Sequence, residues 1–177
     1  NYNLALFIPK GTYLVSEMLD CRIDLELLNG NLKPTKGYPV FGDPANRPVI
    51  KLKDNSASFQ DVNEPIPIIK LWLNHPKFPQ GGAWMMNSGG ISSIIVDCGK
   101  NNPGAIGIKY HGAQAMFLEN VTVKAYGAYA GIKDVIGNAG YMANLEVYGG
   151  KYGIWAQYGQ SGAIAGLTLI DQEIAAI

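Results

Sequence analysis

The chain has 177 residues, of which 47% are hydrophobic and 16% charged, and its 14 basic residues balance 14 acidic ones. This composition supports one folded domain with a substantial core and excludes an intrinsically disordered chain. The balanced charge argues against a general attraction to nucleic acid or to anionic membranes. No apolar stretch is long enough to predict a membrane-spanning helix.

The first half of the chain consists of short apolar segments that alternate with turn-forming residues. The predicted strands are Leu4–Ile8, Thr12–Val15, Arg22–Leu27, Val49–Leu52 and Ile66–Leu73. Clusters of Gly, Pro, Asn and Asp separate them, which is typical of bends between strands. Residues 74–90 contain two prolines and four glycines and are predicted to form a protruding loop with one short strand.

The second half of the chain repeats a unit of roughly two dozen residues. One element of this unit is a polar or small residue followed by alternating apolar positions, found at Ser93–Asp97, Asn120–Lys124, Asn144–Tyr148 and Gly166–Ile170. Their first apolar residues are 27, 24 and 22 positions apart. A Gly-Ile element at 107–109, 131–133 and 153–155 keeps the same step, and a weaker apolar element precedes each repeat at 116–118, 140–142 and 162–164.

Three short strands per unit, separated by Gly-rich bends, predict an all-β fold, a parallel β-helix with three strands per coil. Equivalent apolar residues of successive coils then stack, so we expect Val123, Val147 and Leu169 to form one inner column. A leucine-rich repeat would need a denser leucine pattern, and a β-sandwich would not keep three elements in step.

Several segments of the chain resemble a known superfamily. Ile8–Val15 (IPKGTYLV) resembles the opening strand of the right-handed β-helices of the pectate-lyase-like superfamily. Gly42–Lys51 (GDPANRPVIK) is similar to a segment of the exo-β-1,3-glucanase group, glycoside hydrolase family 55, and Asn102–Ile108 is similar to its next coils. The resemblance implies a secreted or cell-surface protein that degrades a β-glucan-type polysaccharide. In that family the proposed catalytic acid lies farther downstream, so no catalytic residue is carried over.

A candidate binding surface follows from the repeat. If Ile108, Ile132 and Ile154 face the core, the residues that follow them point outward in one column. Ammonium groups beside an indole suit a polysaccharide, since sugars stack on aromatic rings and form hydrogen bonds at their edges. The alternative is an ordinary solvated face on which a tryptophan covers lysine stems. The candidate substrate-binding residues are Lys109, His111, Lys133, Asp134, Trp155, Gln157 and Tyr158.

Catalysis is harder to assign, because glycoside hydrolysis requires two carboxyl groups around one bond. The carboxylates expected to face outward are Asp97, Glu119, Asp134, Glu146 and Asp171, and no two share a column in adjacent coils. Lyase chemistry would use a basic residue, and Lys109, Lys133 or His111 could serve, although no aspartate cluster for calcium is seen. Three classes stay open: a glycoside hydrolase, a lyase acting on uronate chains, and a non-catalytic carbohydrate-binding, adhesin or phage-tail module. No cofactor or metal is predicted.

Two further sets of residues carry structural predictions. Asn120 and Asn144 occupy equivalent positions in successive coils, between Ser93 and Gly166 in the neighbouring repeats, which predicts an asparagine ladder at a bend. Cys21 and Cys98 lie far apart in no metal-like spacing, so they are predicted to be buried small hydrophobic residues without a disulfide.

The ends of the chain are apolar and in phase with the coils. We expect residues 1–177 to form a single β-helix domain that is incomplete at both ends, capped by the remaining part of the same protein or by another chain. On its own, the chain is expected to aggregate.

Overall fold

The computed structural model describes residues 4–24, 27–28, 31–32, 35–74, 86–110, 112, 114–157 and 162–177. The strands, in chain order, are β1 (Leu6–Ile8), β2 (Thr12–Val15), β3 (Leu19–Asp24), β4 (Leu27–Leu28), β5 (Asn31–Leu32), β6 (Thr35–Lys36), β7 (Pro39–Gly42), β8 (Val49–Leu52), β9 (Ile66–Asn74), β10 (Met86–Asn87), β11 (Gly90–Ser92), β12 (Ile95–Asp97), β13 (Ala105–Tyr110), β14 (Phe117–Lys124), β15 (Ala130–Lys133), β16 (Tyr141–Tyr148), β17 (Tyr152–Trp155) and β18 (Ala163–Ile170). Within these ranges the one helical element is a 3₁₀ turn at Ala57–Phe59, and no helix is long and apolar enough to cross a bilayer.

The strands coil into a parallel β-helix, as the repeat predicted. A nine-stranded sheet contains β1, β2, β7, β8, β11, β12, β14, β16 and β18, and a five-stranded sheet follows the order β17-β15-β13-β9-β3. Neighbouring strands within both sheets are parallel. The chain passes through the nine-stranded sheet and then the five-stranded sheet in each coil, so residues one repeat apart become strand neighbours.

The core is built from columns of equivalent apolar residues. Ile50, Val96, Val123, Val147 and Leu169 are successive partners across the nine-stranded sheet. The first four are at most 3% exposed, and burial of each such side chain contributes about 1.5–3 kcal/mol. The predicted inner column is therefore confirmed.

The predicted asparagine positions form a bend between two parts of one strand. Ser93, Asn120, Asn144 and Gly166 all have positive φ values, of 57°, 52°, 52° and 64°. Asparagine and glycine tolerate this left-handed conformation better than most residues. Asn120 Nδ2 donates a hydrogen bond to Ser93 Oγ at 3.2 Å, which confirms side-chain bonding between coils at this bend. As a result, two of the three predicted elements per coil join into the single bent strands β14, β16 and β18.

The glycines of the Gly-Ile element lie inside strands, at positions that have no room for a side chain. Gly107, Gly131 and Gly153 lie inside strands β13, β15 and β17. A Cβ atom at Gly107 would lie 2.4 Å from Val123 Cγ1, and one at Gly131 would lie 2.2 Å from Val147 Cγ1. These glycines are therefore required because the five-stranded sheet packs its backbone directly against the inner valine column.

The first half agrees with the predicted strands at most positions. The strands predicted at Thr12–Val15 and Val49–Leu52 have the same bounds as β2 and β8. The strand predicted from Arg22 begins earlier, at Leu19, because it pairs with β9 from that residue. Strands β7 and β11 were not predicted. The predicted loop at residues 74–90 lies largely outside the described residues, with β10 and the start of β11 at its carboxyl end.

Both cysteines are free thiols, as predicted, and Cys98 is fully buried. Cys21 is only partly buried. Burial raises the pKa of each thiol; the Asp97 carboxylate adds to the effect at Cys98, and a hydrogen bond with Tyr38 partly opposes it at Cys21. Neither thiol is therefore set up as a nucleophile.

Candidate functional site

The outer face of the five-stranded sheet holds a line of lysines that ends at a tryptophan. Lys70, Lys109, Lys133 and Trp155 are successive register partners on β9, β13, β15 and β17. We call Lys70, Lys109 and Lys133 the lysine column. The predicted alignment of Lys109, Lys133 and Trp155 is confirmed, and Lys70 extends it by one coil. Adjacent strands lie about 4.8 Å apart, so three cationic side chains lie in neighbouring rows.

The inner face of the same strands supplies the support for this column. Ile108, Ile132 and Ile154 are fully buried in the core, as predicted. The lysines and Trp155 that follow them are partly exposed. A rigid strand framework therefore fixes the spacing of the outer residues along the helix axis.

Two lysines of the column cover tryptophan rings. Lys133 Nζ lies 3.9 Å from the centre of the Trp155 ring, and Lys70 Nζ lies 3.8 Å from the centre of the Trp72 ring. The Trp72 indole N–H also donates a hydrogen bond to Asp20 Oδ1 at 2.6 Å. Such cation–π contacts contribute about 0.5–2 kcal/mol, with the larger values at desolvated sites.

Burial and neighbouring like charges lower the pKa of two lysines in the column. Burial lowers the pKa of Lys133, the Lys109 charge lowers it further, and Asp134 partly opposes the shift. Burial and the Lys109 charge likewise lower the pKa of Lys70, while Asp20 opposes the shift. Stacked like charges with incomplete compensation make the electrostatic potential of this face positive.

Two tyrosines form an aromatic cluster with Trp155, next to the Lys133 end of the lysine column. The Tyr129 and Trp155 ring centres are 5.0 Å apart in an edge-to-face arrangement, and Tyr152 stacks 6.3 Å from Trp155. Sequence reasoning missed both tyrosines because strict alternation would turn Tyr152 inward. Gly153 and Ile154 both pack toward the core instead, so Tyr152 and Trp155 share the outer face. The sequence feature that could have indicated this cluster is Tyr152, a second aromatic residue three positions before Trp155.

Asp134 is not the outward-facing carboxylate that the sequence predicted. Its side chain is only 1% exposed, and its backbone is left-handed with a φ of 68°. Its N–H donates to the Trp155 carbonyl at 3.0 Å, and its Oδ1 accepts from the Gln157 N–H at 3.2 Å. Its Oδ2 is buried and has no hydrogen-bond partner in the described part of the chain. These hydrogen bonds of Asp134 therefore stabilise the bend that follows Trp155.

Of the remaining predicted site residues, only Gln157 lies within the described part of the chain. Gln157 is exposed and reaches the site through its backbone N–H. His111 and Tyr158 lie outside the described residues. The structure thus brings together Lys109, Lys133 and Trp155 on the outer face, with Asp134 buried behind them.

Glu119 and Glu146, two further carboxylates that were predicted to face outward, lie on the nine-stranded sheet rather than on the sheet of the lysine column. Glu119 accepts a hydrogen bond from the Tyr141 hydroxyl at 3.0 Å, and Glu146 accepts one from the Thr122 hydroxyl at 2.7 Å. Thr122 in turn accepts one from Arg47 at 3.0 Å. Glu119 and Glu146 belong to different columns, as predicted. Glu119 and Glu146 are therefore not assigned as the two carboxyl groups that glycoside hydrolysis requires.

The fold defines the class of the chain: an all-β, parallel β-helix protein. A profile of the rhamnogalacturonase A/epimerase, pectate lyase-like family matches residues 1–176, and the chain belongs to that family. This agrees with the superfamily that the sequence resemblance implied. No curated protein and no solved structure matches the chain at a significant level.

Proposed function

We propose that the chain is the substrate-binding part of a secreted or cell-surface glycoside hydrolase that acts on a β-glucan-type polysaccharide. The observation that supports this proposal is the lysine column that ends at Trp155 on the outer face of a rigid sheet. The similarity of Gly42–Lys51 to the exo-β-1,3-glucanase group supports the choice of substrate. The catalytic carboxylates are then supplied by residues other than the column.

The dimensions of the column suit an extended polymer. Lys70 and Trp155 are separated by three strand spacings, about 14 Å along the helix axis. A polysaccharide that lies along this axis meets one cationic side chain per coil and then an aromatic ring. Aromatic contacts supply apolar area for a sugar ring, while ammonium groups donate to hydroxyl or carboxylate oxygens.

Binding to a panel of carbohydrates tests this proposal. The chain is immobilised at low density, and dissociation constants are measured for a neutral β-glucan oligosaccharide and an oligouronate. Trp155→Ala is expected to weaken binding by about twofold to tenfold, since one aromatic contact contributes about 0.5–1.5 kcal/mol. Tyr126→Ala is the matched control, because Tyr126 is an exposed aromatic residue in the turn after β14. Equal binding by both variants would contradict the proposed surface.

A second candidate function is a lyase acting on uronate-containing chains. It is supported by the stacking of Lys70, Lys109 and Lys133 in neighbouring coils, because one amine can abstract a proton while a neighbouring ammonium group stabilises the developing negative charge. Burial and the Lys109 charge lower the pKa of Lys70 and Lys133, which favours that role. Product analysis on the protein that contains this chain separates the two reactions. A hydrolase releases reducing ends without ultraviolet absorbance, whereas a lyase generates absorbing unsaturated uronates. Binding without either product would indicate a non-catalytic module.

A further inference from the structure

The described tryptophans of the outer face are both covered by lysine ammonium groups. Lys133 and Trp155 are register partners in neighbouring coils, and Lys133 Nζ lies 3.9 Å from the ring centre. The covered face of the indole is therefore the one turned toward the lysine column. Lys70 covers Trp72 two coils away along the column, although these two residues lie on the same strand, β9.

This arrangement places the lysine where a sugar ring would stack. A polysaccharide lying over the lysine column meets the indole face that Lys133 occupies. A sugar can contact that face only after the ammonium group has moved aside. Breaking the cation–π contact costs free energy, and the cost grows with the desolvation of the pair.

An acceptor for the displaced ammonium group lies next to Lys133 in the chain. Asp134 Oδ2 is buried and has no hydrogen-bond partner among the described residues. The Asp134 charge already attracts the Lys133 ammonium group. The Asp134 N–H donates to the Trp155 carbonyl, and Asp134 Oδ1 accepts from the Gln157 N–H, which keeps Asp134 fixed beside the Trp155 backbone.

We propose that Lys133 is a specificity-determining residue that acts as a movable cover of Trp155. Sugar binding displaces the ammonium group from the ring, and Lys133 lowers the affinity for rings that bring no group to receive it. This inference rests on the proposed carbohydrate-binding function. An uncharged sugar ring brings no charged partner of its own, so the net cost of displacement lowers its affinity, whereas a carboxylate on the ligand binds the ammonium group that its own ring displaces.

The test compares three variants of the immobilised chain. Lys133→Ala uncovers the ring, Lys133→Arg keeps a cation over it, and Lys109→Ala removes the same charge from the same column. Among the described residues, Lys109 has no aromatic ring beneath its ammonium group. Lys133→Ser replaces Lys133→Ala if the alanine variant melts below the assay temperature.

For a neutral β-glucan oligosaccharide, Lys133→Ala is expected to bind about twofold to thirtyfold more tightly than the wild type, the range that 0.5–2 kcal/mol corresponds to. Lys133→Arg is expected to bind it like the wild type. Lys109→Ala is expected to bind it no more tightly than the wild type, because it removes a hydrogen-bond donor of the surface without uncovering a ring. For an oligouronate, Lys133→Ala and Lys109→Ala are both expected to bind more weakly, because each removes a positive charge.

The outcomes separate this inference from the function on which it rests. If Trp155→Ala weakens binding but Lys133→Ala does not strengthen binding of the neutral oligosaccharide, the cover is refuted and the binding surface stands. Equal strengthening by Lys109→Ala would also refute it, since the effect would then come from charge alone. If Trp155→Ala leaves all binding unchanged, the proposed surface itself is wrong.

Discussion

Cys98 shows how a single buried group links the stability of this fold to pH. The thiol is completely enclosed just after β12, and burial together with the Asp97 charge raises its pKa above the ordinary value of 9.0. The folded chain therefore keeps the proton at alkaline pH, while the unfolded chain loses it. Because the folded state then binds more protons, the contribution of this thiol to the free energy of unfolding is fully present below pH 9 and is lost as the pH rises.

We expect Cys98→Ala to remove part of this alkaline loss of stability. One proton of difference corresponds to roughly 1.4 kcal/mol per pH unit, so the free energy of unfolding should fall less steeply above pH 9 in the variant. Urea unfolding at pH 8, 9 and 10 measures the slope. Tyr110, whose pKa is also raised by burial, maintains part of the slope at the highest pH.

Val96→Ala is the matched control for this measurement. Val96 is as fully buried as Cys98 and lies two residues earlier in the chain, but it has no proton to lose. Its truncation should lower stability by the same amount at every pH. Parallel slopes for the wild type and Cys98→Ala would show that the thiol does not contribute.

At the scale of the strand, the glycines of the five-stranded sheet are paired with the valines of the nine-stranded sheet. Gly131 lies in β15, and a Cβ atom there would approach Val147 Cγ1 to 2.2 Å and the Gly153 carbonyl oxygen to 2.9 Å. Since β15 and β16 belong to successive parts of the coil, this contact sets how closely the two sheets pack.

We expect Gly131→Ala to destabilise the fold by about 2–3 kcal/mol, because the added methyl group overpacks the core. Val147→Ala makes room for that methyl group. The double variant should therefore be less destabilised than the sum of the single variants, with a coupling of about 0.5–3 kcal/mol. Chemical unfolding of the three variants gives the coupling energy.

The control cycle combines Gly131→Ala with Val121→Ala. Val121 is also fully buried in β14, but it does not meet the Cβ position of Gly131, so these two changes should be additive. Additive behaviour of the Gly131 and Val147 pair as well would contradict the proposed contact.

At the scale of the whole molecule, the apolar columns open to solvent in the outermost coils. One column runs through Leu6, Val40, Ile91, Leu118, Met142 and Ile164. Its four middle residues are at most 6% exposed, whereas Leu6 and Ile164 are 51% and 42% exposed. Exposed apolar ends of a strand stack are surfaces on which further strands can add.

The 177-residue chain, studied alone, is expected to associate through these outermost coils. The double variant Leu6→Lys with Ile164→Lys should need at least about tenfold higher concentration to associate, because charged residues at both ends oppose the stacking of a further coil. Sedimentation velocity over a range of concentrations measures this. Tyr126→Lys changes an equally exposed residue away from the column ends and should leave association unchanged. A wild-type chain that stays monomeric at every concentration would contradict the expectation.

The sequence alone determined the repeat, and with it the architecture and much of the candidate binding surface. A period near two dozen residues is enough to place Val123 over Val147 and Lys109 over Lys133, because parallel coils stack equivalent residues at a fixed spacing. The positive φ values at Asn120 and Asn144 were also foreseeable, since asparagine is one of the few residues that tolerate that conformation.

Only the tertiary structure decided the orientation of side chains where alternation breaks. Gly153 and Ile154 both face the core, which turns Tyr152 outward beside Trp155. Asp134 is buried rather than exposed because the next coil supplies hydrogen-bond partners for its carboxylate and its N–H. The placement of Lys133 over the Trp155 ring likewise depends on distances between coils. A sequence period fixes which residues are neighbours, but the packing between neighbours decides where each side chain points.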